Sequence, residues 1–160
     1  MPEKSLEELE AMVGTSRTTV VDLEIERGKV DEFARAIRDD NPAYREEGAA
    51  TSQGFDRIPA PLTFTQVARH PRYQPDGMNE EGIQGFDLGF DPQRTVHGEQ
   101  EYAFERPLLV GETLTGRTTL TGVSRRERDA GALTFAELTT EYRTQDDELV
   151  LTEIRTAIET

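Results

Sequence analysis

The chain contains no cysteine and no tryptophan, only two histidines, and only two lysines (Lys4 and Lys29) beside sixteen arginines. Without cysteine there can be no disulfide, no thiolate metal site and no thiol nucleophile. That is compatible with a reducing cytosol. The histidines, His70 and His97, are far apart in sequence, and with scattered acids they fit no ligand spacing, so no metal is expected. No apolar run approaches the roughly 20 residues of a membrane span. The N-terminus MPEKSLEELEAMVG is acidic and amphipathic, the reverse of a basic-then-apolar signal peptide, so a soluble cytoplasmic protein is expected. A Gly-rich phosphate loop and a Gly-x-Ser-x-Gly elbow are both missing.

What is abundant is negative charge. In 160 residues, 32 acids against 18 Lys and Arg give a formal charge of -14. Such a surface repels phosphate backbones and anionic bilayers, which argues against nucleic acid and membrane partners. Acid enrichment with almost no lysine suggests a salt-rich cytoplasm, where screening shortens the Debye length to roughly 3 Å at 1 M salt. The size predicts one domain with a real core.

The hydrophobic periodicity gives an element order. Ser5 to Val13 reads as a short helix with Ser5 as N-cap, Glu8 completing a capping box, Gly14 as the stop, and Leu6, Leu9 and Val13 as its buried stripe. Residues 1–17 form this helix and a lead-in, and 18–160 the domain proper. Thr18 to Glu26 alternates Val21, Leu23 and Ile25 against acids, the pattern of a half-buried strand. Gly28 to Tyr44 reads as a helix with an apolar stripe at Val30, Phe33, Ala34 and Ile37. Ala36 to Asp39 is its expected last turn, because Asn41 precedes Pro42. Arg45 to Ile58 reads as a surface excursion, Leu62 to His70 as a second, more buried helix ended by Pro71, and Tyr73 to Pro92 as a long loop or lid. Four strands follow, from Thr95, Glu112, Ala132 and Leu149, joined by short turns. Helices followed by a run of strands predict α+β with an antiparallel sheet. Alternating βα units are missing, which excludes a dinucleotide-binding fold.

Two constellations could carry chemistry. Asp39, Asp40, Asn41 and Tyr44 place carboxylates on a loop braced by a helix, where one could act as a general base. The same Asx-rich string also makes a helix stop by local hydrogen bonds. His97, beside Gly98 at a strand start, can titrate near neutrality over a pocket, or can simply be a solvated edge histidine. His70 is better explained by charge–dipole contact at a helix end. The runs Glu46-Glu47, Glu80-Glu81 and Asp146-Asp147 read as solvated surface.

Three ordered segments, VDEFARAIRDDNPAY (Val30 to Tyr44), PAPLTF (Pro59 to Phe64) and VHGEQEYAFERPLLVGETL (Val96 to Leu114), together resemble the MaoC-like dehydratase family in its N-terminal, single-domain form. The resemblance implies a hot-dog fold, a curved antiparallel sheet wrapped around a central helix beginning at Leu62. It also implies pairing into homodimers or heterodimers and syn addition or loss of water on a coenzyme A or acyl-carrier thioester, without metal or redox cofactor. Pro61, Leu62, Thr63, Phe64 and Gly98 would then face the thioester. In active hydratases the motif reads Gly-Asp-x-Asn-Pro-Leu-His. Asp39 and Asn41 match the acid and the amide, whereas Tyr44 stands where the histidine is required. Three readings follow: a substrate-holding subunit serving a sister that bears the histidine, a self-sufficient hydratase using Asp39 with His97 or Tyr44, or a non-enzymatic acyl-thioester-binding dimer.

Overall fold

The computed structural model describes residues 2–78, 82–129 and 131–160. The Glu80-Glu81 run lies outside the described residues. Helix α1 (Leu6–Ala11) starts with the expected capping box: the Ser5 hydroxyl accepts from the Glu8 amide, and the Glu8 carboxylate accepts from the Ser5 amide. Of its predicted stripe only Leu9 is buried; Val13 is exposed. Strand β1 (Ser16–Glu24) buries Val20 and Leu23, not Val21. Register shifts on either side of Val20, with Asp22 at φ 47°, form the irregularity that exchanges the two valines.

Helix α2 (Arg27–Ala36) buries Val30 and Ala34 and leaves Ile37 47% exposed. It ends a turn earlier than the proline predicts. Arg38 adopts φ 59°, the Asp39 amide donates to the Ala34 carbonyl at 2.9 Å, and the Arg38 amide donates to Arg35 at 3.1 Å. This is a Schellman closure built on an arginine in place of the usual glycine. A 3₁₀ turn (Pro42–Tyr44) follows, and the predicted surface excursion from Arg45 contains a short helix α3 (Glu47–Ser52).

Leu62 to His70 does not form an α-helix. Phe64–Arg69 is a 3₁₀ helix, followed by a second 3₁₀ turn, Pro71–Tyr73. The stretch is fenced by Pro61 and Pro71, and β-branched Thr63, Thr65 and Val67 disfavour a longer helix. His70 is extended and stands at the end of the 3₁₀ helix, its amide donating to the Val67 carbonyl at 3.1 Å, while its Nδ1 accepts from the Arg72 amide at 3.1 Å and caps the following turn. The loop after Tyr73 is anchored, since Tyr73, Phe86 and Leu88 are buried.

Strands β2 (Thr95–Phe104), β3 (Thr113–Arg126), β4 (Leu133–Thr144) and β5 (Leu149–Glu159) complete one antiparallel sheet in the order β1-β3-β4-β5-β2. The architecture is α+β, with β1 and β2 as its edges. Two apolar clusters hold it together. One gathers Leu23, Ile25, Val30, Phe64, Leu114 and Leu151, and the other gathers Leu9, Phe86, Leu88, Leu120 and Leu138. Between them in sequence along β1, β3 and β4 lie buried threonines. Thr19 and Thr118 share a hydrogen bond of 2.6 Å, and Thr118 and Thr140 one of 2.7 Å, so these buried hydroxyls satisfy one another.

Candidate functional site

The Asp39 loop is shaped by its own side chains. Asp39 Oδ1 accepts from the Asn41 amide at 3.1 Å, and Asn41 Oδ1 accepts from the Ala43 amide at 3.1 Å, capping the 3₁₀ turn. Asn41 also forms a reciprocal amide pair with Gln53: Asn41 Nδ2 donates to Gln53 Oε1 at 3.1 Å and Gln53 Nε2 donates to Asn41 Oδ1 at 2.9 Å. Asn41 is therefore occupied as a structural amide. Arg45 ties the loop to its helix, donating from Nε to Asp31 Oδ1 at 2.7 Å and from a guanidinium nitrogen to the Asp39 carbonyl at 3.1 Å. Arg45 and Gln53 carried no sequence signal beyond their polarity, because their role depends on tertiary placement.

Tyr44 is half-buried and lies against Asp39. Burial first, then the Asp39 charge and a hydrogen bond to its carboxylate, push the phenol above tyrosine's usual pKa. The pair thus sets a phenol held in its protonated form beside the Asp39 carboxyl, an arrangement that can orient a hydroxyl.

The loop and PAPLTF meet through aromatics: the Phe33 and Phe64 rings pack edge to face, 5.5 Å between centroids. Pro61 and Phe64 are buried, Thr63 is exposed and Leu62 is 64% exposed. The Phe64 amide is already used, donating to the Pro61 carbonyl at 2.9 Å. Beside this junction an open groove of about 760 Å³ runs between α2 and the 3₁₀ segment. Phe33, Ala36 and Val67 line it, with Lys29 and Arg72 among its polar lining.

His97 belongs to a different cluster, and none of the described contacts joins it to Asp39 or Tyr44. The β2–β5 register skips between His97 and Glu99, so Gly98 is a bulge residue. A Cβ on Gly98 would stand 2.5 Å from Ile158 Cδ1, which explains the glycine by packing. The bulge turns His97 onto the sheet face of Gln100 and Tyr102. His97 Nε2 and Gln100 Oε1 are 3.0 Å apart, Gln100 Nε2 donates to the Tyr102 hydroxyl at 2.9 Å, and Gln66 Nε2 donates to the same hydroxyl at 2.6 Å. Nearby, Glu153 is only 4% exposed and accepts from Thr65 Oγ1 at 3.0 Å and from the Tyr142 hydroxyl at 3.4 Å. Burial first, and then the Glu153 charge, raise the Tyr142 pKa well above its usual value. Strand alternation hid this cluster in the sequence, because Glu153 reads there as one more surface acid of a half-buried strand.

Residues 11–153 match the family described as FAS1-like, dehydratase domain region. A UPF0336 protein of Thermobifida fusca is 37% identical over 100 residues, 62% of this chain and 62% of that protein, so the match spans under two thirds of the relative's length. A chain of the HadBC (3R-hydroxyacyl-ACP dehydratase) complex from Mycobacterium tuberculosis has a similar structure, with a TM-score of 0.73, 25% identity, and coverage of 92% of this chain and 96% of that one. A MaoC-like dehydratase gives a TM-score of 0.74 at 28% identity, covering 94% of this chain and 43% of that chain.

Proposed function

This chain belongs to the FAS1-like dehydratase region family as a single MaoC-like hot-dog domain, and on that premise we propose that it is the acyl-thioester-binding subunit of an (R)-3-hydroxyacyl-thioester dehydratase or enoyl hydratase. The observation that carries the reading is Tyr44 set against Asp39, where the active hydratases it resembles have a histidine. Water addition needs one group to remove a proton and another to deliver one. Asp39 can take the first role, but a phenol held above its usual pKa is a slow proton donor and returns to the neutral form at once. The subunit therefore holds the thioester, and a sister hot-dog subunit bearing the acid–histidine pair performs the proton transfers.

The groove suits that task. Its apolar stretch of Phe33, Ala36 and Val67 would take the pantetheine arm, and Lys29 and Arg72 would meet phosphate oxygens at its end. Edge strand β2, where Val96 is 48% exposed, offers unpaired backbone on which a partner strand would dock. The related HadBC protein is a complex of two kinds of subunit by its own description.

Hydration of crotonyl-coenzyme A tests the reading. The chain alone is expected to turn over at least about 10²-fold more slowly than its mixture with a histidine-bearing hot-dog subunit. Full activity of the isolated chain, lost in Asp39→Asn, would show instead that it is self-sufficient.

A further inference from the structure

Under the 3₁₀ helix lies a cavity of about 190 Å³, separate from the Asp39 loop, lined by Thr65, Arg69, Gln74, Gln84, Tyr142 and Arg155 among others. Its charge is unbalanced. Arg69 and Arg155 both line it, and Glu153 is the one carboxylate among the described lining residues. Among the described residues Arg155 makes no ion pair within 4 Å, although Glu153 stands two positions away on the same face of β5, and its Nε is buried without a hydrogen-bond partner. Glu153 is occupied by the Thr65 and Tyr142 hydroxyls. Arg69 donates from Nε to the Gln66 side chain and makes no ion pair within 4 Å among the described residues. Two guanidiniums among the described residues thus share one carboxylate that is itself held by two hydroxyls. Burial first, and then the nearby Arg69 charge, disfavour the charged form of Arg155, and the Glu153 charge offsets them only in part.

We propose that this cavity is a binding site for a monoanion of the carboxylate class, held between Arg69 and Arg155. The planar fork of a guanidinium matches two carboxylate oxygens, and two such groups lining one cavity offer an anion position between them. Gln74 and Gln84 also bury amide oxygens there without a partner, so the site takes a donor as well, either a hydroxyl on the ligand or a water carried in with the anion. The carboxylate has two sources. It can be the free end of an acyl group whose thioester lies in the outer groove, which Arg69 also lines and which rests on the function proposed above. It can equally be a free anion, which does not depend on that function.

The test uses the full chain in chloride-free buffer with three probes: sodium acetate, succinyl-coenzyme A and butyryl-coenzyme A, the two acyl chains having equal length. Calorimetric titration is expected to show saturable acetate binding, weakened roughly tenfold to a hundredfold in Arg155→Gln and in Arg69→Gln. Arg69 is exposed, so its variant keeps the test valid if Arg155→Gln does not fold. Succinyl-coenzyme A binding at least about tenfold tighter than butyryl-coenzyme A, with the preference lost in the variants, identifies the acyl group as the source. Acetate binding with equal affinity for the two thioesters identifies a free anion. If neither thioester binds, the acyl-thioester function falls while the acetate titration still reports on the cavity. The proposal is overturned by the absence of both acetate binding and succinyl preference, or by either one persisting unchanged in both variants.

Discussion

At the scale of single residues, two strand glycines are set by close approach, and they differ in what they approach. A Cβ on Gly116 would lie 2.8 Å from Val20 Cβ and 2.9 Å from its Cγ2, atoms fixed near the backbone by β-branching. A Cβ on Gly98 would meet the far end of the Ile158 side chain, which can rotate away. Gly116→Ala is therefore expected to destabilise by about 1–3 kcal/mol, the usual cost of overpacking, and Gly98→Ala by less. Urea unfolding of both variants checks the order, and Ile158→Ala should relieve the Gly98 variant but not the Gly116 one. Equal losses would show that packing is not what selects these glycines. Neither position was legible in the sequence as a contact: Gly98 drew attention only by adjacency to His97, and the bulge that gives it meaning is a property of pairing with β5.

At the scale of elements, strands were the most legible part. Strand-prone runs separated by short turn sequences placed β2 to β5 within a residue or two of their observed ends. Helical segments were less legible for local reasons. The end of α2 depends on Arg38 entering the left-handed region, which no residue type there announces. Phe64–Arg69 is 3₁₀ where an α-helix was expected, and its Thr65 is tied inward to Glu153 by a tertiary bond that the sequence does not show. The Asp39 loop was legible as a candidate, while its bracing was not. Arg45→Met removes that brace. Because Arg45 and Asp31 are partly exposed, the global stability loss should be no more than about 1 kcal/mol. Amide exchange in residues 39–44 should nonetheless accelerate, and thioester binding should weaken. Unchanged exchange in that loop would mean that the Asn41–Gln53 pair alone holds it.

At the scale of the whole molecule, the net charge of -14 sets a salt response. Most ion pairs among the described residues have at least one exposed partner, as Arg27–Glu47 and Arg143–Asp147 do, and each contributes little, whereas self-repulsion among excess acids grows with their number. Raising potassium chloride from low to molar concentration is expected to raise Tm by several degrees, since about 1 kcal/mol corresponds to roughly 2–4 °C at this size. Calorimetry across a salt series measures it, and a flat or falling Tm would remove the basis for the salt-rich setting.

The threonine chain Thr19–Thr118–Thr140 has a consequence for how the molecule comes apart. Hydroxyls in a line contribute little hydrophobic cohesion, so the two apolar clusters on either side are joined more weakly than each is joined within itself. The sheet thus carries a built-in seam. The cluster around Leu9, Phe86 and Leu88 is therefore expected to open as one cooperative unit while the cluster under the Asp39 loop stays closed, which native-state amide exchange would show as lower protection around the first cluster than around the second.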